Sequence, residues 1–135
     1  MLEVQDLSVA YGHIQALSGV SLRVGRGEVV ALIGSNGAGK STLLKAIAGV
    51  VRTQRGGVTL DERPITGLAS HRVARLGLRF VPEGRGLLAR MTVWENLMMG
   101  AYLRDDGPAA EADMEAVLVR FPVLRERRNQ IASTL

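Results

Sequence analysis

Val29-Val30-Ala31-Leu32-Ile33-Gly34-Ser35-Asn36-Gly37-Ala38-Gly39-Lys40-Ser41-Thr42 decides the fold of this chain. Five consecutive apolar residues, 29–33, predict a central strand covered on both faces. A glycine-rich loop follows at once. Beyond it Leu43, Leu44, Ile47 and Ala48 recur at helical spacing, which predicts a helix over 40–48 with Gly49 as its stop. Strand, loop and helix in that order place the chain in the α/β class.

The loop from Gly34 to Ser41 reads G-x-x-x-x-G-K-S, a pattern with a physical job. Glycines at 34, 37 and 39 leave the backbone N–H groups free to converge on one concavity. The helix behind the loop adds its positive N-terminal end. Lys40 supplies a point charge for the outer phosphates, and the Ser41 hydroxyl is placed to ligate Mg²⁺. Gly34, Ser35, Asn36, Gly37, Ala38, Gly39, Lys40, Ser41 and Thr42 are therefore the expected cradle of a triphosphate. No Asn-Lys-x-Asp guanine motif follows, so the expected ligand is Mg-ATP.

Outward from the loop, residues 2–10 and 20–24 predict short strands joined by a loop containing Gly12 and His13. Arg55-Gly56-Gly57 predicts a turn, Val58-Thr59-Leu60 a short strand, 70–76 a helix, and 78–81 a second core strand ended by Pro82. After Val81 the pattern turns helical. Thr92-Val93-Trp94-Glu95 has capping-box spacing and predicts a helix with Val93, Leu97, Met98 and Ala101 inward. A further helix is predicted over 109–120, with Met114, Val117, Leu118 and Phe121 inward and Pro122 closing it. The organisation read from this is 1–81, a mixed α/β core carrying the nucleotide-binding loop, and 87–128, mostly helical.

Composition narrows the classes. The 135 residues hold no cysteine, which excludes a disulfide framework, a thiolate metal site and a cysteine nucleophile. The longest apolar run falls far short of the roughly 20 residues that span a bilayer, and no secretory signal opens the chain. The formal charge is +4, with 17 basic residues of which only Lys40 and Lys45 are lysine. The arginines form no stripe interleaved with aromatics, so nucleic acid is not an expected partner. His13 and His71 lack a second ligand at metal spacing and read as surface histidines.

Several strings together resemble the ATP-binding-cassette (ABC) transporter ATPases over essentially the whole chain: Tyr11 upstream of the loop, 36–44, Phe80-Val81-Pro82-Glu83-Gly84-Arg85, and Thr92-Val93-Trp94-Glu95-Asn96-Leu97. Val81-Pro82-Glu83-Gly84-Arg85 and the ending 127–135 resemble an ATPase subunit of branched-chain amino acid importers. The resemblance implies a P-loop α/β fold with an antiparallel N-terminal β portion, core parallel strands and the start of a helical subdomain. It implies that Tyr11 stacks on adenine, with core packing as the other reading of that residue. It implies that Glu83, where most of the family has glutamine, sits near Mg²⁺ and the attacking water. Lys40 and Glu83 are thus the catalytic candidates, and Ser41 and Glu83 the metal candidates. Trp94 and Met98 either face a membrane subunit or pack in the core.

The implied partners are transmembrane permease subunits, a second ATPase subunit and, indirectly, an extracytoplasmic solute-binding protein. The implied location is the cytoplasmic face of the inner (plasma) membrane. The resemblance ends at Leu135, where the family's Leu-Ser-Gly-Gly signature would open, and no residue matches the later strand ending in Asp-Glu or the switch histidine. The chain alone is therefore expected to bind ATP and to hydrolyse it slowly or not at all. Two other readings stay open: a small P-loop kinase using Asp61 and Glu62, and a non-catalytic nucleotide-binding module.

Overall fold

Strand β1 (Leu2–Tyr11) buries Val4, Leu7 and Val9. A regular strand cannot put residues three apart on one face, because its side chains alternate. The extra residue is Asp6, whose φ of 48° marks a bulge. The pairing register shifts there on both sides of the strand: between Val4 and Leu7 against β2 (Ile14–Val24), and between Gln5 and Ser8 against β3 (Arg55–Leu60). The computed structural model describes residues 1–84 and 86–135.

The sheet has the order β2-β1-β3-β4, all antiparallel, with β4 at Arg63–Pro64. Helix α1 (Lys40–Ile47) adds Leu43, Ala46 and Ile47 to the core formed with Val4, Leu7, Val9, Leu17 and Val58. Ile65 and Val73, the latter on α2 (Ser70–Arg75), complete it. Helix α1 stops as its sequence requires. The Gly49 N–H donates to the Ala46 carbonyl at 3.1 Å and the Val50 N–H to the Lys45 carbonyl at 2.9 Å, the paired bonds of a Schellman cap.

Several expectations are corrected here. Residues 29–33 and 78–81 carry no strand, and Val29 and Ile33 are 96% and 95% exposed. A buried parallel strand exists only where neighbours accept its N–H and C=O groups. Among the described residues none pairs with either run. The expected turn at Arg55-Gly56-Gly57 is instead the start of β3. Gly56 is needed there because a methyl group would stand 2.3 Å from the Asp6 carbonyl oxygen, so the bulge of β1 fits only against a bare backbone. Strand β2 begins at Ile14 rather than 20, closing a tight hairpin through Gly12 and His13. Leu44 is exposed rather than part of the buried face of α1.

The chain divides into two compact units, Met1–Phe80 and Val81–Leu135. The second is built on α3 (Val93–Ala101), α4 (Gly107–Arg120) and α5 (Pro122–Glu126). The capping box forms as its spacing predicts. Thr92 Oγ1 accepts from the Glu95 N–H at 3.1 Å, and Glu95 Oε2 accepts from the Thr92 N–H at 2.8 Å. Arg104 forks onto both oxygens of Asp106, at 2.8 and 2.7 Å, and also reaches Asp113, so it ties the end of α3 to α4. The tail closes the unit. The Val93 N–H donates to the Gln130 carbonyl at 2.9 Å, and the Arg128 guanidinium lies 5.9 Å from the centre of the Trp94 ring. Val93, Ala110, Leu118 and Ala132 are buried. Met98 and Phe121, expected inward, are each 50% exposed, and Pro122 opens α5 as well as following α4.

Candidate functional site

The glycine loop stands as its residue types dictate. Gly37 and Gly39 both have φ of 86°, in the left-handed region that side-chain-bearing residues avoid. The Ala38 N–H closes the turn onto the Ser35 carbonyl at 3.2 Å. Gly39 is the N-cap of α1, with no side-chain cap and no acidic residue in the first helical turn. Gly39 offers no side chain to cap the helix, and no carboxylate of the first turn offsets the positive end of its dipole. That arrangement favours an anion.

Lys40 is the first residue of α1, and its Nζ donates to the carbonyl oxygens of Gly34 and Ser35, both at 2.7 Å. The ammonium is thereby held over the mouth of its own loop. Residues 34–38 are exposed, and Gly39, Lys40, Ser41 and Thr42 are half-buried. Ser41 and Thr42 lie in the first turn of α1. An exposed glycine loop followed by one cation and one hydroxyl in the first helical turn is chemically suited to a metal-bound polyphosphate.

Tyr11 stands at the end of the β1–β2 hairpin, paired with Ile14, and is 47% exposed. Its ring is thus not sealed in the core. Strand β2 continues from this hairpin to Ala16 and Leu17, which back directly onto Gly39. Reading the sequence alone passes over these two residues. The signal for them lay in extending β2 back to Ile14.

Glu83 belongs to the second unit, where residues 81–84 and 86–88 form an exposed segment outside helix and strand. Arg85, the last residue of the Val-Pro-Glu-Gly-Arg string, lies outside the described residues. The same segment is pinned to α3 by Asn96. Its Oδ1 accepts from the Leu88 N–H at 2.8 Å, and its Nδ2 donates to the carbonyls of Leu88 and Thr92 at 3.1 and 2.9 Å. Trp94 is half-buried and holds Arg128, while Met98 is exposed.

Asp61 and Glu62 form the β3–β4 turn, with φ of 44° and 66°. The Met1 ammonium lies 2.5 Å from Asp61 Oδ1, and Arg26 lies 3.5 Å from the same oxygen. The hydrogen bond from that ammonium, and then its charge, hold the Asp61 carboxyl below its ordinary value. The adjoining cavity of about 450 Å³ is lined by Met1, Arg23, Gly25, Arg26, Asp61 and Glu62, and by no residue of the glycine loop. Among the described residues no three His, Asp or Glu side chains gather as a metal cluster, and no helix is long and apolar enough to cross a membrane.

A family model described as ABC transporter matches residues 17–135. The chain is 43% identical over its full length to the high-affinity branched-chain amino acid transport ATP-binding protein BraG of Pseudomonas aeruginosa, of which it covers 58%. It is 35% identical, again over its full length, to the probable branched-chain amino acid transport ATP-binding protein LivF of Archaeoglobus fulgidus, of which it covers 57%. The ribose import ATP-binding protein RbsA of Pseudomonas putida matches at 44% identity over 80% of this chain and 21% of its own length. Among solved structures, an ATP-binding subunit of an ABC transporter superposes with a TM-score of 0.85 at 32% identity, over 100% of this chain and 55% of that one. The chain spans little more than half the length of these branched-chain relatives. A glycine loop leading into α1 on this sheet, and the family match from Leu17 to Leu135, make this chain a member of the ABC transporter family.

Proposed function

We propose that this chain is the nucleotide-binding part of a transport ATPase that drives import of branched-chain amino acids. The observation that carries the reading is the loop itself. Gly37 and Gly39 hold left-handed backbone, Lys40 closes over the mouth, and an uncapped helix end lies behind. In this reading residues 34–42 cradle the triphosphate of ATP, Lys40 neutralises the outer phosphates, and Tyr11 offers its exposed ring to adenine. The residues of the loop fit a magnesium ion, with the Ser41 hydroxyl as one ligand. Glu83 is the proposed second oxygen and a water-orienting group. Held there, such an ion would supply positive charge against the charge that develops on phosphoryl transfer.

The partners in this reading are transmembrane permease subunits, a second ATPase subunit and an extracytoplasmic solute-binding protein. The location is the cytoplasmic face of the plasma membrane. The 135 residues hold no counterpart of the signature or of a strand ending in Asp-Glu beyond the helical region. With Glu83 as its one proposed water-orienting group, the isolated chain binds ATP and turns it over slowly or not at all. Branched-chain solutes are favoured over ribose because the matches to BraG and LivF cover the whole chain.

Two measurements test this. Calorimetric titration with Mg-ATP is expected to show one site, and the absence of binding rejects the nucleotide assignment. Uptake of labelled leucine by source cells lacking the gene is expected to fall while ribose uptake holds. Loss of ribose uptake with leucine uptake intact rejects the solute assignment and leaves the nucleotide site untouched.

A further inference from the structure

Gly39 is the residue at which the loop becomes a helix, and β2 presses on it from behind. A methyl group on Gly39 would stand 2.6 Å from Leu17 Cδ2 and 2.7 Å from the Ala16 carbonyl oxygen. No room is left between strand and cap. Leu17 itself cannot retreat. It is 6% exposed, sits opposite Val9 in the sheet, and packs in the core with Leu43 and Ile47. Its carbonyl is clamped by Gln15 Nε2, which also reaches the Val9 carbonyl at 3.4 Å. On the other side, Gly39 starts the helix by accepting the Leu43 N–H at 2.9 Å.

We infer that Leu17 is a positioning residue for polyphosphate, acting through Gly39. This rests on the reading of residues 34–42 as the phosphate loop. Hydrogen bonds from backbone N–H groups weaken steeply as the donor turns away from the acceptor. The aim of the first N–H groups of α1 depends on the left-handed cap at Gly39, and that cap is wedged in place by the Leu17 side chain. With the wedge removed, the cap gains room and the N–H groups lose their common focus. The same strand ends at the Tyr11 hairpin, so β2 ties the two ends of the proposed nucleotide site into one piece.

A core leucine that merely stabilises the fold makes a different set of predictions, and a control separates the two. Val58 is 1% exposed in the same core, but it sits opposite Val4 on the far side of β1 from β2. The experiment titrates inorganic tripolyphosphate and Mg-ATP into the wild-type chain, Leu17→Ala, Leu17→Met and Val58→Ala. It is run at a temperature where circular dichroism shows each of them folded. Leu17→Ala is expected to weaken both ligands about tenfold, Leu17→Met to restore them, and Val58→Ala to leave them at the wild-type value. Wild-type affinity in Leu17→Ala, or equal weakening in Val58→Ala, overturns the role of Leu17. Should Leu17→Ala be unfolded, Leu17→Val takes its place, since a β-branched residue suits the strand while withdrawing the contact to Gly39. A wild-type chain that binds neither ligand overturns the phosphate-loop reading itself, and the wedge with it.

Discussion

The Nζ of Lys40 lies 2.7 Å from the carbonyl oxygen of Gly34, the residue that opens the loop Lys40 closes. With the matching bond to Ser35, the cation is tethered to the loop backbone rather than left to wander in solvent. For the proposed phosphate ligand, the tether pre-sets this charge and lowers the ordering cost of binding.

Replacing Lys40 with alanine removes that charge and its charge-assisted hydrogen bonds. Mg-ATP affinity is expected to fall about 10- to 100-fold. The far-UV circular dichroism spectrum is expected to be unchanged, because the bonds lost belong to an exposed loop and not to the core. Unchanged affinity in a calorimetric titration rejects the role of Lys40.

Gly56 faces the bulge at Asp6 at a distance that admits no side chain. Gly56→Ala must both hold φ near 86° and push the backbone of β1 aside. A loss of about 3 kcal/mol in urea unfolding is expected. A loss below about 0.5 kcal/mol, the range of ordinary surface changes, shows that the bulge is not held by this contact.

The Asp61-Glu62 turn runs the opposite way. Both residues have positive φ, the mark of a type I′ hairpin that favours glycine at its second position. Glu62→Gly keeps Asp61 for its ion pair with the Met1 ammonium and is expected to gain about 0.5–1 kcal/mol in the same urea experiment. A loss of stability instead shows that the Glu62 side chain holds the turn.

Acid should weaken the second unit at its helix starts. The N–H of Thr92, and then its hydroxyl, hold the Glu95 carboxyl below its ordinary 4.5. The Arg104 fork likewise holds Asp106 below 3.8. A carboxyl whose folded pKa is depressed contributes stability above its unfolded pKa and loses it as pH falls through the folded value. Helix content is therefore expected to decline as pH drops below about 4.5, and Glu95→Gln to flatten that decline. Coincident acid titrations of wild type and Glu95→Gln, followed by circular dichroism, remove the capping box from the account. Thr92→Ala tests the same cap at neutral pH, with about 1 kcal/mol expected.

Much of the site was legible from residue order because it is local. The glycines, Lys40 and the helix behind them lie within one stretch of chain. The Schellman stop at Gly49 and the capping box at Thr92 are closed by bonds between residues a few positions apart. The strands were less legible. The bulge at Asp6 meets Gly19 on one side and Gly56 on the other, and nothing near Asp6 in the chain announces either. Gly56-Gly57 reads as a turn until the partner strand is known. Residues 29–33 have the composition of a central strand yet form none here, since a ladder needs a neighbour as well as a sequence.

By itself, the sequence determined the glycine loop and the helix behind it, the stop of α1 at Gly49, the capping box that opens α3, and the family. Each rests on residue type at short spacing, where a few bonds settle the conformation. Tertiary structure alone decided the register of β1, the seating of Gly39 against Leu17 and the place of Gly56 in a strand. Those depend on which distant backbones meet, and the entropy of closing long loops is repaid only by the packed sheet as a whole.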